Sequence, residues 1–215
     1  MAEEVSKAKV AATAEIGVTG LRRYGGRVNE EFIRDLQGLR GLRVYREMSE
    51  NDAVVGAVLF AIEQLVRSVS WRVEPASSSA EDRRLAEFVE GALFRDMSST
   101  WQDTVSEVFT MLPFGFSLHE LVYKRRGGDV RDPTKRSVFD DGALGWRKWP
   151  IRAQESLFEW RFDEEGGIAA MVQQDPASAK FFEIPIEKSL LFRTSVRKGN
   201  PEGRALAPDT SVLTP

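Results

Sequence analysis

A histidine beside a carboxylate can serve as a general base, and the only histidine of this 215-residue chain, His119, adjoins Glu120. The pair lies in a stretch that reads as a strand, where consecutive side chains leave on opposite faces. They therefore do not meet as a general base and its orienting acid must. Asp140, Asp141, Glu155 and Glu159 offer oxygen ligands of the kind Mg²⁺ accepts, but their spacing follows no metal-ligand pattern. A metal-dependent hydrolase or transferase built on them is the enzymatic alternative. Gly20, Gly25-Gly26, Gly38, Gly41, Gly127-Gly128 and Gly166-Gly167 never lead into Gly-Lys-Ser or Gly-Lys-Thr, so the phosphate loop of an ATPase is absent. The chain has no cysteine, which removes disulfides, thiolate metal sites and cysteine nucleophiles together. Trp71, Trp101, Trp146, Trp149 and Trp160 could stack on bases, but the area an indole buries favours packing. No catalytic, cofactor-binding or metal-binding residue is assigned.

The elements that would position any site are clearer. Val54, Val55, Val58, Leu59, Ile62, Leu65, Val66 and Val69 recur at three-and-four spacing and predict a helix from about Asp52 to Ser70, with that face in the core. Trp71 and Val73 alternate with Arg72 and Glu74 up to Pro75, which predicts a short strand. Ser79, three residues before Asp82, reads as a helix start, with Leu85, Phe88, Val89 and Leu93 on the buried face. A third helix opens at Ser99 or Thr100 and carries Trp101, Val105, Val108, Phe109 and Leu112 until Pro113 and Gly115 break it. Ahead of these, Glu30–Leu36 predicts a short helix limited by Gly38 and Gly41.

From Leu118 onward strands dominate. Leu118–Tyr123, Trp146–Ile151, Leu157–Phe162, Ile168–Gln173, Phe181–Ile184 and Leu190–Thr194 read as strands, with Asp163–Gly167 as a hairpin turn. The polar run from Arg126 to Gly142 reads as an insertion or disordered loop. The fold class is α+β, with N-terminal helices followed by a mostly antiparallel sheet. The organisation expected is a flexible arm over 1–26, an α+β domain over 27–204 and an irregular tail over 205–215.

Composition bounds the function. A net charge of −3 argues against a dedicated nucleic-acid binder. Arg22, Arg23, Arg27, Arg34, Arg40 and Arg43, and separately Lys124-Arg125-Arg126, are local basic clusters. Each reads as a solvated run or as a contact to DNA or protein. No apolar run reaches the ~20 residues a membrane span needs, and the N-terminus is acidic where a signal peptide would be basic.

One resemblance spans roughly Tyr45 to Arg204. It rests on Tyr45 to Met48, on Asp52 opening an apolar helix, and on Ser70-Trp71-Arg72-Val73-Glu74-Pro75. It continues through Ala86-Glu87-Phe88-Val89, Phe114-Gly115-Phe116-Ser117, Glu120-Leu121-Val122-Tyr123-Lys124 and Gly199-Asn200-Pro201-Glu202-Gly203-Arg204. In order and spacing these resemble the Mu-like phage portal proteins. The resemblance implies a non-enzymatic structural subunit of a capsid-vertex ring of about twelve copies through which double-stranded DNA is packaged and ejected. The partners it implies are other portal subunits, terminase, the major capsid protein and a head-tail adaptor, with weak non-specific contact to duplex DNA and no membrane. The implied location is the virion, and host cytoplasm during assembly. It implies no cofactor, and for Glu120 a strand-anchoring role. In the family the Asn-Pro-x-Gly-Arg segment leads into tunnel-lining helices, whereas Ala205–Pro215 carries two prolines and no helical period. The part present would be the outer wing, monomeric or weakly associated alone. An inactive prophage remnant is a further alternative.

Overall fold

The computed structural model describes residues 15, 17–127 and 130–206. The element order is a hairpin, four helices with a fifth single turn, and then strands, and the fold is α+β as the sequence predicts. The hairpin, β1 (Arg23–Tyr24) and β2 (Arg27–Val28), abuts a later strand, β7 (Leu157–Phe162), through the Trp160 amide, which donates to the Gly26 carbonyl at 2.7 Å. The arm expected over 1–26 and the tail expected over 205–215 lie largely outside the described residues.

Three helices start where their capping residues predict. Asp52 accepts from the Val54 and Val55 amides at 2.8 and 2.9 Å and opens α2 (Ala53–Arg67). Ser79 accepts from Asp82 to open α3 (Ala80–Phe94), and Thr100 from Asp103 to open α4 (Trp101–Phe109). Each cap satisfies backbone donors that a helix start would leave bare. α4 ends at Thr110, and Met111–Phe114 forms one further turn, α5.

Three expectations are corrected. The short helix over Glu30–Leu36 is a 3₁₀ turn over Arg34–Leu36, and the chain then forms α1 (Gly38–Asn51), straight through Gly41. Gly41 permits the element it was expected to limit, because a Cβ there would lie 2.0 Å from the Leu36 carbonyl oxygen. The segment 70–75 has no regular secondary structure and pairs with no strand among the described residues. Its alternation records which side Trp71 presents to the Trp101 ring, 5.7 Å away edge-to-face. Finally, α2 buries none of its residues, and Val54 and Leu65 are 73% and 70% exposed. Its apolar surface is wider than the contact that α1 and α4 offer it.

All strand pairings are antiparallel. The Leu118–Tyr123 strand divides at Leu121 into β3 (Phe116–Glu120) and β4 (Val122–Arg125), which join different sheets. β4 pairs with β5 (Leu144–Lys148), and Pro150 separates β5 from β6 (Ile151–Arg152). β3 lies between β6 and β10 (Ser189–Arg193), and β7, β8 (Ile168–Gln174) and β9 (Phe181–Pro185) form a meander.

β3 is buried on both faces, and its period of two sorts the residues. Phe116 and Leu118 join Trp160, Met171 and Ile184 in the core. Ser117 and His119 are also fully buried, and the Ser117 hydroxyl donates to the Val108 carbonyl of α4 at 3.0 Å. One strand thus glues the helical half to the meander.

Candidate functional site

Two turns distant in sequence, the one after α5 and the one after β10, meet backbone to backbone. Gly115 ends α5 with φ +87°, its amide donating to Met111 at 2.7 Å. Its carbonyl accepts from the Thr194 amide at 3.0 Å and the Thr194 hydroxyl at 3.2 Å. Across from it the chain reverses through Asn200-Pro201-Glu202-Gly203-Arg204. Asn200 folds this turn itself, accepting from the Glu202 amide at 2.9 Å and donating to the Gly203 carbonyl at 3.1 Å. Arg193 donates to the Asn200 carbonyl, and Pro201 is fully buried.

The two turns touch backbone to backbone. A Cβ on Gly115 would lie 2.4 Å from the Glu202 carbonyl oxygen, and one on Gly203, at φ +61°, would lie 2.3 Å from the Gly115 carbonyl oxygen. Only residues without a side chain allow this approach. The two motifs lie far apart in sequence, and the fold makes them one structure. It fixes the course of the chain through 204–206, since the Arg204 amide donates to the Thr194 hydroxyl and the Leu206 amide to the Leu112 carbonyl at 3.0 Å.

A carboxylate is enclosed in this junction. Glu202 accepts from the Trp160 indole at 3.2 Å, and burial pushes its carboxyl up to about 7 against the pull of that hydrogen bond. Its other side faces an open cavity of about 580 Å³, lined also by Glu30, Glu31, Tyr45 and Arg204. Burial, with Glu31 adding to it, raises the Tyr45 phenol above its usual range.

Glu202 makes stability fall with rising pH. An unfolded glutamate titrates near 4.5, so between about 4.5 and about 7 the folded chain holds a proton that the unfolded chain has lost. The stabilising difference is complete below that window and gone above it, and is at most about 3 kcal/mol. Glu202→Gln is expected to raise the melting temperature more at pH 8 than at pH 5, read by thermal melts of both proteins at each pH.

The other candidates are dispersed. His119 Nδ1 lies 2.9 Å from the Trp149 carbonyl oxygen, which requires Nδ1–H as donor. Nε2 is buried with no hydrogen-bond partner among the described residues, and burial lowers the imidazole below the ordinary histidine range. The nearest carboxylate to Nδ1 is Glu107 on α4, at 3.9 Å, a partner that sequence adjacency could not reveal. Glu120 accepts from Arg152 on the neighbouring β6 and lies 3.9 Å from Lys188, so it anchors the strand as the resemblance implies. Asp141 pairs with Arg126, Glu155 with Arg46 and Glu159 with Arg161. Among the described residues no three His, Asp or Glu side chains could hold a metal ion.

The basic run Lys124-Arg125-Arg126 is corrected most sharply. Two of its three side chains are buried rather than solvated. Lys124 pairs with Asp96 at 3.2 Å, the two side chains 5% and 1% exposed, and also donates to the Arg136 carbonyl. Arg126 sits between the Phe88 and Phe139 rings, 4.5 and 3.9 Å from their centroids. Asp96, just past the end of α3, also accepts from Ser137 and from the Val138 amide, so Ser137 and Val138, in the run expected as an insertion or disordered loop, are tied to β4 through the Asp96–Lys124 pair. The tryptophans are placed by packing. Trp160 is in the core, while Trp71, Trp101, Trp149 and Trp146 form an edge-to-face row.

This arrangement can hold and aim chain segments. Comparison with known families places the same stretch in one of them: the model described as portal protein of Mu bacteriophage matches residues 42–211. That range contains both halves of the glycine junction.

Proposed function

Because the chain belongs to the portal protein family of bacteriophage Mu, we propose that it is a structural subunit of the capsid-vertex ring through which double-stranded DNA is packaged and ejected. Portal proteins are structural proteins of the phage capsid and of DNA packaging, and the family implies assembly with other portal subunits and capsid components in the virion. The finer reading is a non-enzymatic subunit in a ring of about twelve copies that meets terminase, the major capsid protein and a head-tail adaptor. The observation that supports it is the match over residues 42–211, within which the junction of Gly115 with Gly203 joins two segments distant in sequence. Among the described residues no helix is long and apolar enough to cross a membrane.

Mass spectrometry and immunogold labelling of intact phage particles test this reading. The protein is expected at one vertex, and its absence from complete particles would refute it. Contact with DNA is expected to be weak and without sequence preference. Lys124 and Arg126 are internal, which leaves exposed arginines such as Arg34, Arg40 and Arg43 to meet phosphates. A few such contacts lose affinity steeply as salt rises. Titration of labelled duplex is expected to show binding only at low salt, and nanomolar affinity at physiological salt would point to a dedicated DNA-binding protein.

A further inference from the structure

The cavity of about 580 Å³ beside the glycine junction has room for a side chain and the residues that flank it. Its charges are sorted by depth. The glutamates that line it, Glu30, Glu31, Glu159 and Glu202, are half-buried, whereas the arginines, Arg27, Arg197 and Arg204, are exposed. Two of these carboxylates are already paired, Glu30 with Lys198 at 3.0 Å and Glu159 with Arg161 at 2.9 Å. Glu31 and Glu202 have no ion-pair partner among the described residues. There the Glu31 carboxylate accepts only from the Ile33 amide, at 3.0 Å, and the Glu202 carboxylate only from the Trp160 indole. Tyr45, Phe158 and Trp160 add aromatic rings to the lining.

We infer that this cavity is a binding site for a guanidinium group, the side chain of an arginine presented by another polypeptide. A cation is the class, because half-buried carboxylates without counter-ions have lost hydration that an opposite charge replaces. A metal ion does not fit, since no three His, Asp or Glu side chains among the described residues could hold one. A guanidinium fits better. Its planar fork can meet separate carboxylates at its edges while its face stacks on an aromatic ring, and it sheds water more readily than an ammonium. The arginines already present do not take this place. Burial raises the Glu202 carboxyl and the Trp160 bond alone opposes it, so neither Arg27, Arg197 nor Arg204 holds it ionised. Arg204 acts instead on the Tyr45 phenol, against Glu31. An arriving guanidinium must therefore displace the Glu202 proton, and binding tightens as pH rises. The inference does not depend on the portal assignment, because it concerns one cavity of the folded chain.

The probe is N-acetyl-arginine amide, titrated into the isotope-labelled full chain, and the readout is the assigned Trp160 indole N–H signal, whose proton sits on Glu202. A saturable shift is expected at pH 8. At pH 5.5 the affinity should be about 30-fold weaker, the factor by which the ionised fraction of a carboxyl at about 7 falls. Glu202→Gln is expected to weaken binding at pH 8 and to remove the pH dependence. The neutral isostere N-acetyl-citrulline amide should leave the signal in place, and N-acetyl-lysine amide should bind more weakly than the arginine probe. No shift with the arginine probe, equal binding of citrulline or lysine, or one affinity at both pH values would overturn the inference. So would a shift produced by inorganic phosphate, which would assign the cavity to its exposed arginines. Repeating the titration at several chain concentrations separates the sources of the arginine. Competition that grows with chain concentration identifies a second copy, and constant affinity a different protein.

Discussion

Gly115→Ala is expected to cost about 2–5 kcal/mol, a large fraction of the roughly 5–15 kcal/mol that holds a domain folded. Two effects add. The left-handed backbone at φ +87° costs an L-residue about 1–2 kcal/mol. The new methyl would also lie 2.4 Å from the Glu202 carbonyl oxygen and 2.9 Å from the Ala205 nitrogen. Both obstacles are backbone, so no side chain can swing aside. The Asn200–Arg204 turn would have to retreat, weakening the two bonds from Thr194 to Gly115. Gly142→Ala is the control, because Gly142 has φ +69° but nothing within 4 Å of its would-be Cβ. Urea melts should show only the backbone cost there, about 1–2 kcal/mol, and equal losses at the two sites would show that the close approach does not matter.

Asp96→Ala is expected to destabilise by about 3–5 kcal/mol, the usual consequence of stranding one member of a buried ion pair. The Lys124 ammonium would keep only carbonyl partners, and Ser137 and Val138 would lose their acceptor. Residues 130–142 should then become a protease target while α2 and the meander stay folded. Adding Lys124→Met removes the stranded charge, so the double variant should be more stable than Asp96→Ala alone. A double-mutant cycle by urea melts, with limited proteolysis of each protein, checks both parts. Strict additivity of the two losses would mean that the pair is not coupled.

Local chemistry was legible in the sequence, and long-range chemistry was not. Asp52, Ser79 and Thr100 announce helix starts because a cap is a bond between residues two or three apart. The β7–β8 hairpin is legible for a similar reason, since Asp163 accepts from the Gly167 amide inside its own turn. Partners distant in sequence left no such mark. Lys124 looks like part of a solvated run until Asp96 is set against it, and His119 has Glu120 beside it in sequence although the carboxylate within 3.9 Å of its ring is Glu107 on α4. The apolar period of α2 identifies a helix correctly, but periodicity cannot say whether a neighbour covers the face, and here most of it stays open. Both halves of the glycine junction stood out as motifs, yet nothing in either announces that they touch.

The two-sided burial of β3 has a consequence during synthesis. α4 precedes β3 in the chain and can cover Ser117 and His119 as soon as they emerge. Phe116 and Leu118 must wait for Trp160, Met171 and Ile184, and the strand's open edge waits for β10. β10 is complete only about 70 residues after β3, an interval of roughly 4–15 s at ribosomal speed. For that time the nascent chain carries a bare apolar strand with an unpaired edge, the combination most prone to pairing with a neighbouring nascent chain. On a crowded polysome, yield should therefore depend less on the finished protein's stability than on how quickly translation carries residues 121–193 past this point.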